Sequence, residues 1–277
     1  MKRSWFVLFM AVAGLAACQT GPPPPVVVIA NSPGTLVPGD VRLLVGLLDA
    51  EGSPIGGEDL AATVRIYDPE SNELVTTTQA DFIWTIPNVR GLYVVRTSLD
   101  RPGIWGLAIE AGDMPATEPV GFVVADVAVV PVLGDVAPHS VTPTGSDFAL
   151  SDISTDPEPL PRFYERSLHE VLGGGTPVVA VFSTPALCST ATCGPALDVV
   201  KDIAATDSES TFVHIEVYTN LDAQGARELE LAPSVVEWGL PSEPWVFVMD
   251  GDGVIVASFE GALGSQELAE ALVVAGS

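Results

Sequence analysis

Apolar and polar positions alternate along the first half of the chain. Ala62-Thr63-Val64-Arg65-Ile66-Tyr67 places every second residue on one face, as a half-buried strand requires. Residues 41–48, 91–96, 104–109 and 120–124 read as further strands. Turn residues Asp49-Ala50-Glu51-Gly52 and Arg101-Pro102-Gly103 punctuate them. Short strands with regular turns and no intervening helix predict an all-β sandwich over 26–133. That span contains neither His nor Cys, so it offers no metal-ligand cluster and reads as a structural or docking module.

After a proline-bearing stretch, 134–161, the period changes. Phe163, Ser167/Leu168 and Val171/Leu172 share one helical face, and Gly173-Gly174-Gly175 ends it, which predicts a single helix. Residues 177–182 form a continuous apolar run, the mark of a buried central strand. Residues 196–205 read as a helix with Pro195 in its first turn. A second strand follows over 212–218, then a short helix over 235–238. Residues 245–249 and 254–258 make a hairpin around Asp250-Gly251-Asp252-Gly253, so both aspartates are turn residues. Ser265 reads as the cap of a last helix carrying Leu268, Ala271 and Leu272. Along 212–218, His214, Glu216 and Tyr218 fall on one face, which predicts a structural His214–Glu216 pair. His139 and His169 read as surface residues.

The N-terminus changes the picture. Lys2 and Arg3 precede an apolar run, 5–15, that is short for a bilayer span, and small Ala16 and Ala17 then lead to Cys18. Leu15-Ala16-Ala17-Cys18 resembles the bacterial lipobox. The resemblance implies removal of 1–17, lipidation of Cys18, a tether over 18–25 and a place on the extracytoplasmic side of a bacterial membrane. The other reading is ordinary cleavage after Ala17, leaving a free thiol. The net charge of −25 argues against a nucleic-acid partner, because phosphate contacts need a basic surface.

Setting Cys18 aside leaves only Cys188 and Cys193. Disulfides persist outside the cytoplasm. A bridge between two such close cysteines closes a very small loop, so it points to local chemistry and not to a general stabilising framework.

Phe182-Ser183-Thr184-Pro185-Ala186-Leu187-Cys188 follows the buried strand, and Glu243-Pro244-Trp245 directly precedes another. With the Asp250–Gly253 hairpin, these features resemble the thioredoxin-like (redoxin-type) proteins over 134–277. Gly91-Leu92-Tyr93 and Asp100 to Trp105 resemble the final hairpin of bacterial immunoglobulin-like domains. Together they imply a multidomain chain. An immunoglobulin-like β-sandwich (26–133) is joined by a Pro-rich linker (134–161) to an α/β thioredoxin-like domain (162–277). The thioredoxin resemblance implies thiol-disulfide exchange with exported proteins through Cys188 and Cys193, without cofactor or metal. It makes Pro244 the cis-proline facing the pair and Glu243 a residue whose backbone docks extended substrates. Glu216 stands in for the family's buried acid, as general base for the resolving thiol.

The motif departs from that family, because Ser189-Thr190-Ala191-Thr192 separates the cysteines where thioredoxins have two residues. Counting from the strand favours Cys188 as the attacking thiol and Cys193 as the resolving one. Cys193-Gly194-Pro195, however, mimics the start of the thioredoxin motif, with Ala196 in place of its second cysteine. Two alternatives stay open. One is a non-catalytic binding lipoprotein of thioredoxin fold with a structural disulfide. The other is a carrier like the Sco-type copper chaperones, using His214 as the third ligand.

Overall fold

The computed structural model describes residues 23–222 and 229–277; the leader and the lipobox Cys18 lie outside the described residues. The first half is mostly β. Its strands are β1 (Val26–Ile29), β2 (Gly39–Leu48), β3 (Pro54–Ile55), β4 (Ala62–Tyr67), β5 (Leu74–Ile86), β6 (Arg90–Leu99), β7 (Gly103–Ala111) and β8 (Val120–Val124). They run in the order β1-β2-β6-β5-β4-β7-β8, with β3 on β2. β5 is the longest of three strands, with β1 and β3, that the hydrophobic period does not reveal. Its first part pairs with β4 and its last part, from Asp81, with β6, so one strand carries the sheet around a corner. The sheet curls until Leu43, Val45, Val64, Ile66, Tyr93, Val95, Trp105 and Leu107 share one core.

The second half has a four-stranded sheet, β9 (Val178–Phe182), β10 (Thr211–Ile215), β11 (Trp245–Met249) and β12 (Ile255–Glu260), in the order β10-β9-β11-β12. β10 runs parallel to β9, whereas β11 is antiparallel to β9 and β12 to β11. Its helices are α1 (Leu150–Ile153), α2 (Leu168–Val171), α3 (Cys193–Thr206), α4 (Pro233–Glu237) and α5 (Ser265–Ala275). α2 and α4 pack with Ala180, Phe182 and Phe247 on one face of the sheet. Leu197 and Val200 of α3 and Leu268 of α5 pack with Val179, Val181 and Val248 on the other. Burial on both faces is why β9 has no polar alternation: all its residues are buried.

Several local expectations need correction. The single helix over 163–172 is two pieces, a 3-10 turn at Pro161–Tyr164 and α2. Ser167 breaks them: its N–H donates to Glu170 Oε2 at 3.0 Å, and its hydroxyl accepts the N–H of Thr142 at 2.7 Å. α3 starts at Cys193 itself, ahead of Pro195. β10 ends at Ile215, so Glu216 and Tyr218 lie past the strand. Ser265 is the first helical residue, and Gly264 is the cap, its N–H held by Glu267 Oε2 at 3.0 Å.

The 134–161 segment lies on the second half. Gly134 N–H donates to Ile255 O and Ile255 N–H to Asp135 O, both at 2.9 Å. Further along, Asp156 pairs with Lys201 of α3 at 3.0 Å, both side chains being largely buried.

The two halves are joined by buried charge. Arg42 of β2 makes a two-pronged contact with Glu267 of α5, Nε and Nη2 each at 2.8 Å from a carboxylate oxygen. Arg96 of β6 adds a third bond at 2.6 Å. The guanidinium of Arg42 also lies over the Phe259 ring at 5.4 Å. Glu260 accepts from Ser32 N at 2.7 Å, Thr35 Oγ1 at 3.0 Å and Ser242 Oγ at 3.2 Å. Planar two-pronged pairing of this kind fixes orientation as well as contact. Among the described residues no helix is long and apolar enough to cross a membrane.

Candidate functional site

β9 delivers the chain to the site. After Phe182 the buried Ser183 and Thr184 turn it outwards through Pro185 to Leu187, and Cys188 follows, half-buried. Cys188 and Cys193 are joined by a disulfide with their Cα atoms 6.0 Å apart. Cys193 is fully buried, whereas Cys188 is partly open to solvent. Cys193 is the first residue of α3, and Cys188 is the more exposed partner of the pair.

β11 brings in the opposite side. The antiparallel register of β9 and β11 pairs Phe182 with Trp245, which sets Glu243 and Pro244 against Ser183 and Thr184. The Glu243–Pro244 peptide is cis, and the Pro244 carbonyl accepts the N–H of Gly261 at 2.8 Å. Thr184 N–H donates to Glu243 Oε2 at 2.9 Å. A carboxylate oxygen of Glu243 and both cysteine sulfurs all lie within 4.8 Å of one another. Sequence reasoning gave Glu243 only a backbone role, yet among the described residues its side chain is the carboxylate grouped with the two sulfurs. Burial pushes its carboxyl above the usual range, against the pull of the Thr184 hydrogen bond.

Glu216 is a second buried acid, one layer further in. It accepts from the backbone N–H and the hydroxyl of Thr155, the latter at 3.0 Å. Burial raises its carboxyl to about 7, with the nearby charge of Glu243 adding to the shift. The Thr155 hydroxyl also accepts the N–H of Ala186, so Glu216 reaches the turn before Cys188 through Thr155.

His214 and Glu216 do not pair. His214 Nδ1 shares a hydrogen bond with the Tyr164 hydroxyl, and Nε2 lies 3.0 Å from Ser183 Oγ. Strand termination at Ile215 redirects Glu216 toward Thr155, while His214 stays under the sheet. Burial pulls the imidazole down to about 4, so it is neutral near pH 7. The grouping of possible ligand atoms among the described residues is Cys188, Cys193 and Glu243, and His214 is not in it. Exposed His139 and His169 lie elsewhere. Asp250 closes its turn by accepting the N–H groups of Asp252 at 3.0 Å and Val254 at 2.9 Å.

A cleft of about 680 Å³ opens between the two halves, lined by Val41, Arg42, Arg96, Trp245 and Val256 among others. It contains neither cysteine, and its arginines are committed to Glu267.

No protein-family model matches this chain, and no curated protein matches it. Among solved structures, MTB dsbF in its mixed oxidized and reduced forms is similar over 39% of this chain and 85% of that one, at 22% identity and a TM-score of 0.30. The Lin-41 filamin domain is similar over 39% of this chain and 99% of that one, at 15% identity and a TM-score of 0.24. Neither likeness is close enough to assign a fold or an activity.

Proposed function

We propose that this chain is a thiol-disulfide exchange protein whose second half is a thioredoxin-type fold and whose first half is an immunoglobulin-like sandwich. The observation that carries the reading is the Glu243 carboxylate lying within 4.8 Å of both sulfurs of a disulfide whose Cys188 is half-buried and whose Cys193 is fully buried. The strand order and directions of the second sheet support it.

In the reductive direction the Cys188 thiolate attacks one sulfur of a partner disulfide. A Cys188–partner bond forms, and the other partner sulfur leaves as thiolate. Cys193 then gives its proton to the Glu243 carboxylate and attacks Cys188 Sγ. The Cys188–Cys193 bond forms and the second partner thiolate is released, so the partner is reduced and this pair oxidised. Oxidation of a partner dithiol is the same sequence reversed, with protonated Glu243 returning its proton to Cys193. A buried thiol is hard to ionise, and a carboxylate whose affinity for protons is raised by burial is a better match to it. Glu216 sits behind as a second buried acid, and Pro244 shapes the groove in which the partner's chain lies. No cofactor enters this scheme.

We place the protein on the extracytoplasmic side of a bacterial membrane, anchored through Cys18. The lipobox-like Leu15–Cys18 motif and the persistence of a disulfide there support that placement. The partners are then exported proteins.

Trapping tests the assignment. Cys193→Ser leaves a mixed disulfide on Cys188 unresolved, so incubation with a disulfide-bearing peptide accumulates a 1:1 adduct. Adducts forming on Cys188→Ser and not on Cys193→Ser reverse the roles, and adducts on neither leave a structural disulfide.

A further inference from the structure

We infer that the N-terminal β half is part of the redox site, with Arg90 as a positioning residue for the loop between the two cysteines. This inference rests on the exchange reading above for its functional meaning, but its geometry stands separately. β5 and β6 form a hairpin whose turn spans Pro87, Asn88 and Val89, and Asn88 adopts a left-handed conformation there. The hairpin reaches the loop between the two cysteines, where Arg90 Nη2 donates to the carbonyl of Thr190 at 2.8 Å.

The loop that Arg90 touches has little else to hold it. Its internal bonds are Cys188 Sγ to Thr190 Oγ1 at 3.3 Å, Thr190 Oγ1 to Thr192 Oγ1 at 2.7 Å, and Ala191 N–H to Cys188 O at 3.3 Å. Among the described residues, Arg90 is the one hydrogen-bond donor from outside the loop to Ser189, Thr190 or Ala191. Ala191 has φ of 59°, a left-handed conformation that a residue with a Cβ adopts at a cost. A short, exposed, disfavoured loop needs an external hold to keep one shape, and a charged donor on a carbonyl is a strong one.

The hold is effective because the hairpin is fixed. Arg42 and Arg96 lock β2 and β6 to Glu267 on α5, so the strand that carries Arg90 is tied to the second half at a separate point. The hairpin's own closing bond runs from the Thr85 hydroxyl to the Arg90 main-chain carbonyl at 2.9 Å, and it survives loss of the side chain.

The bond is made to the loop shape that the disulfide closes. Arg90 therefore favours the oxidised pair, and its loss favours the dithiol. The test uses the full-length protein with Arg90→Ala and Arg90→Lys. Equilibration with glutathione should show the pair of Arg90→Ala about 3- to 10-fold easier to reduce, or ~15–30 mV more oxidising. Hydrogen exchange at the Ala191 amide of the disulfide form should speed up by a similar factor, with Arg90→Lys recovering part of the protection. An unchanged equilibrium or unchanged Ala191 exchange in Arg90→Ala overturns the inference. If the pair resists glutathione altogether, the exchange reading fails, and the Ala191 measurement alone decides whether Arg90 holds the loop.

Discussion

A carboxylate oxygen of Glu243 lies within 4.8 Å of the buried sulfur of Cys193. That separation is one water or a small side-chain movement from a hydrogen bond, and Cys193 needs a proton acceptor each time it resolves a mixed disulfide. Glu243→Gln keeps the size and the Thr184 contact but removes the acceptor. Resolution of a preformed Cys188 mixed disulfide should slow about 10²-fold in stopped-flow measurements. Its rise with pH through the raised carboxyl value should also disappear. A variant that resolves at the wild-type rate removes Glu243 from the mechanism.

Glu216 makes stability depend on pH. Its folded value of about 7 lies above the 4.5 of a solvated glutamate, so the folded state holds the extra proton between those limits. The contribution is complete below about pH 4.5 and is lost as pH rises through about 7. Glu216→Gln should flatten that fall. Comparing urea midpoints at pH 5 and pH 8, the wild type should lose on the order of 2–3 kcal/mol more than the variant. Equal losses would mean that Glu216 is solvated.

Arg42 has the opposite signature. Burial works against the Glu267 charge, but hydrogen bonding and attraction from Arg42 hold the carboxyl below its usual range. Arg42→Ala leaves a buried carboxylate with the half-exposed Arg96 as its remaining cation and the Gly264 N–H as its cap bond, a change that costs about 3–5 kcal/mol. Thermal unfolding should then split into two transitions as the halves uncouple. A single transition at the wild-type temperature would contradict the rigid junction.

Tyr164 and His214 provide a control within the same core. Tyr164→Phe leaves His214 Nδ1 without its partner and costs about 1–3 kcal/mol, measured by chemical denaturation. Exchange activity of the folded variant should be unchanged, because His214 is held away from the sulfurs. Stoichiometric Cu(I) binding by the reduced protein that is lost on His214→Ala would instead favour a copper carrier.

The sequence legibly carried those elements whose burial is regular. β4 alternates buried and half-buried residues as its letters do, and β9 is apolar because both faces are covered. β5 stayed hidden because its Thr-Thr-Thr-Gln half faces solvent, which leaves no apolar stripe to read. The His214–Glu216 pairing failed on strand length, since period alone does not show where β10 stops. The cysteines and Pro244 were legible by position after and before apolar runs. The Glu243 side chain was not, because its place depends on the long-range register between Phe182 and Trp245. Arg90 carried no signal at all: its contact crosses 100 residues and depends on how the two halves dock.

The central claim is that the Cys188–Cys193 pair turns over, and its reduction potential measures that most directly. Equilibration of the full-length protein with glutathione buffers should place the pair between about −120 and −270 mV, the range of exchanging dithiols. A value below about −300 mV would mark a stable structural bridge and contradict the account.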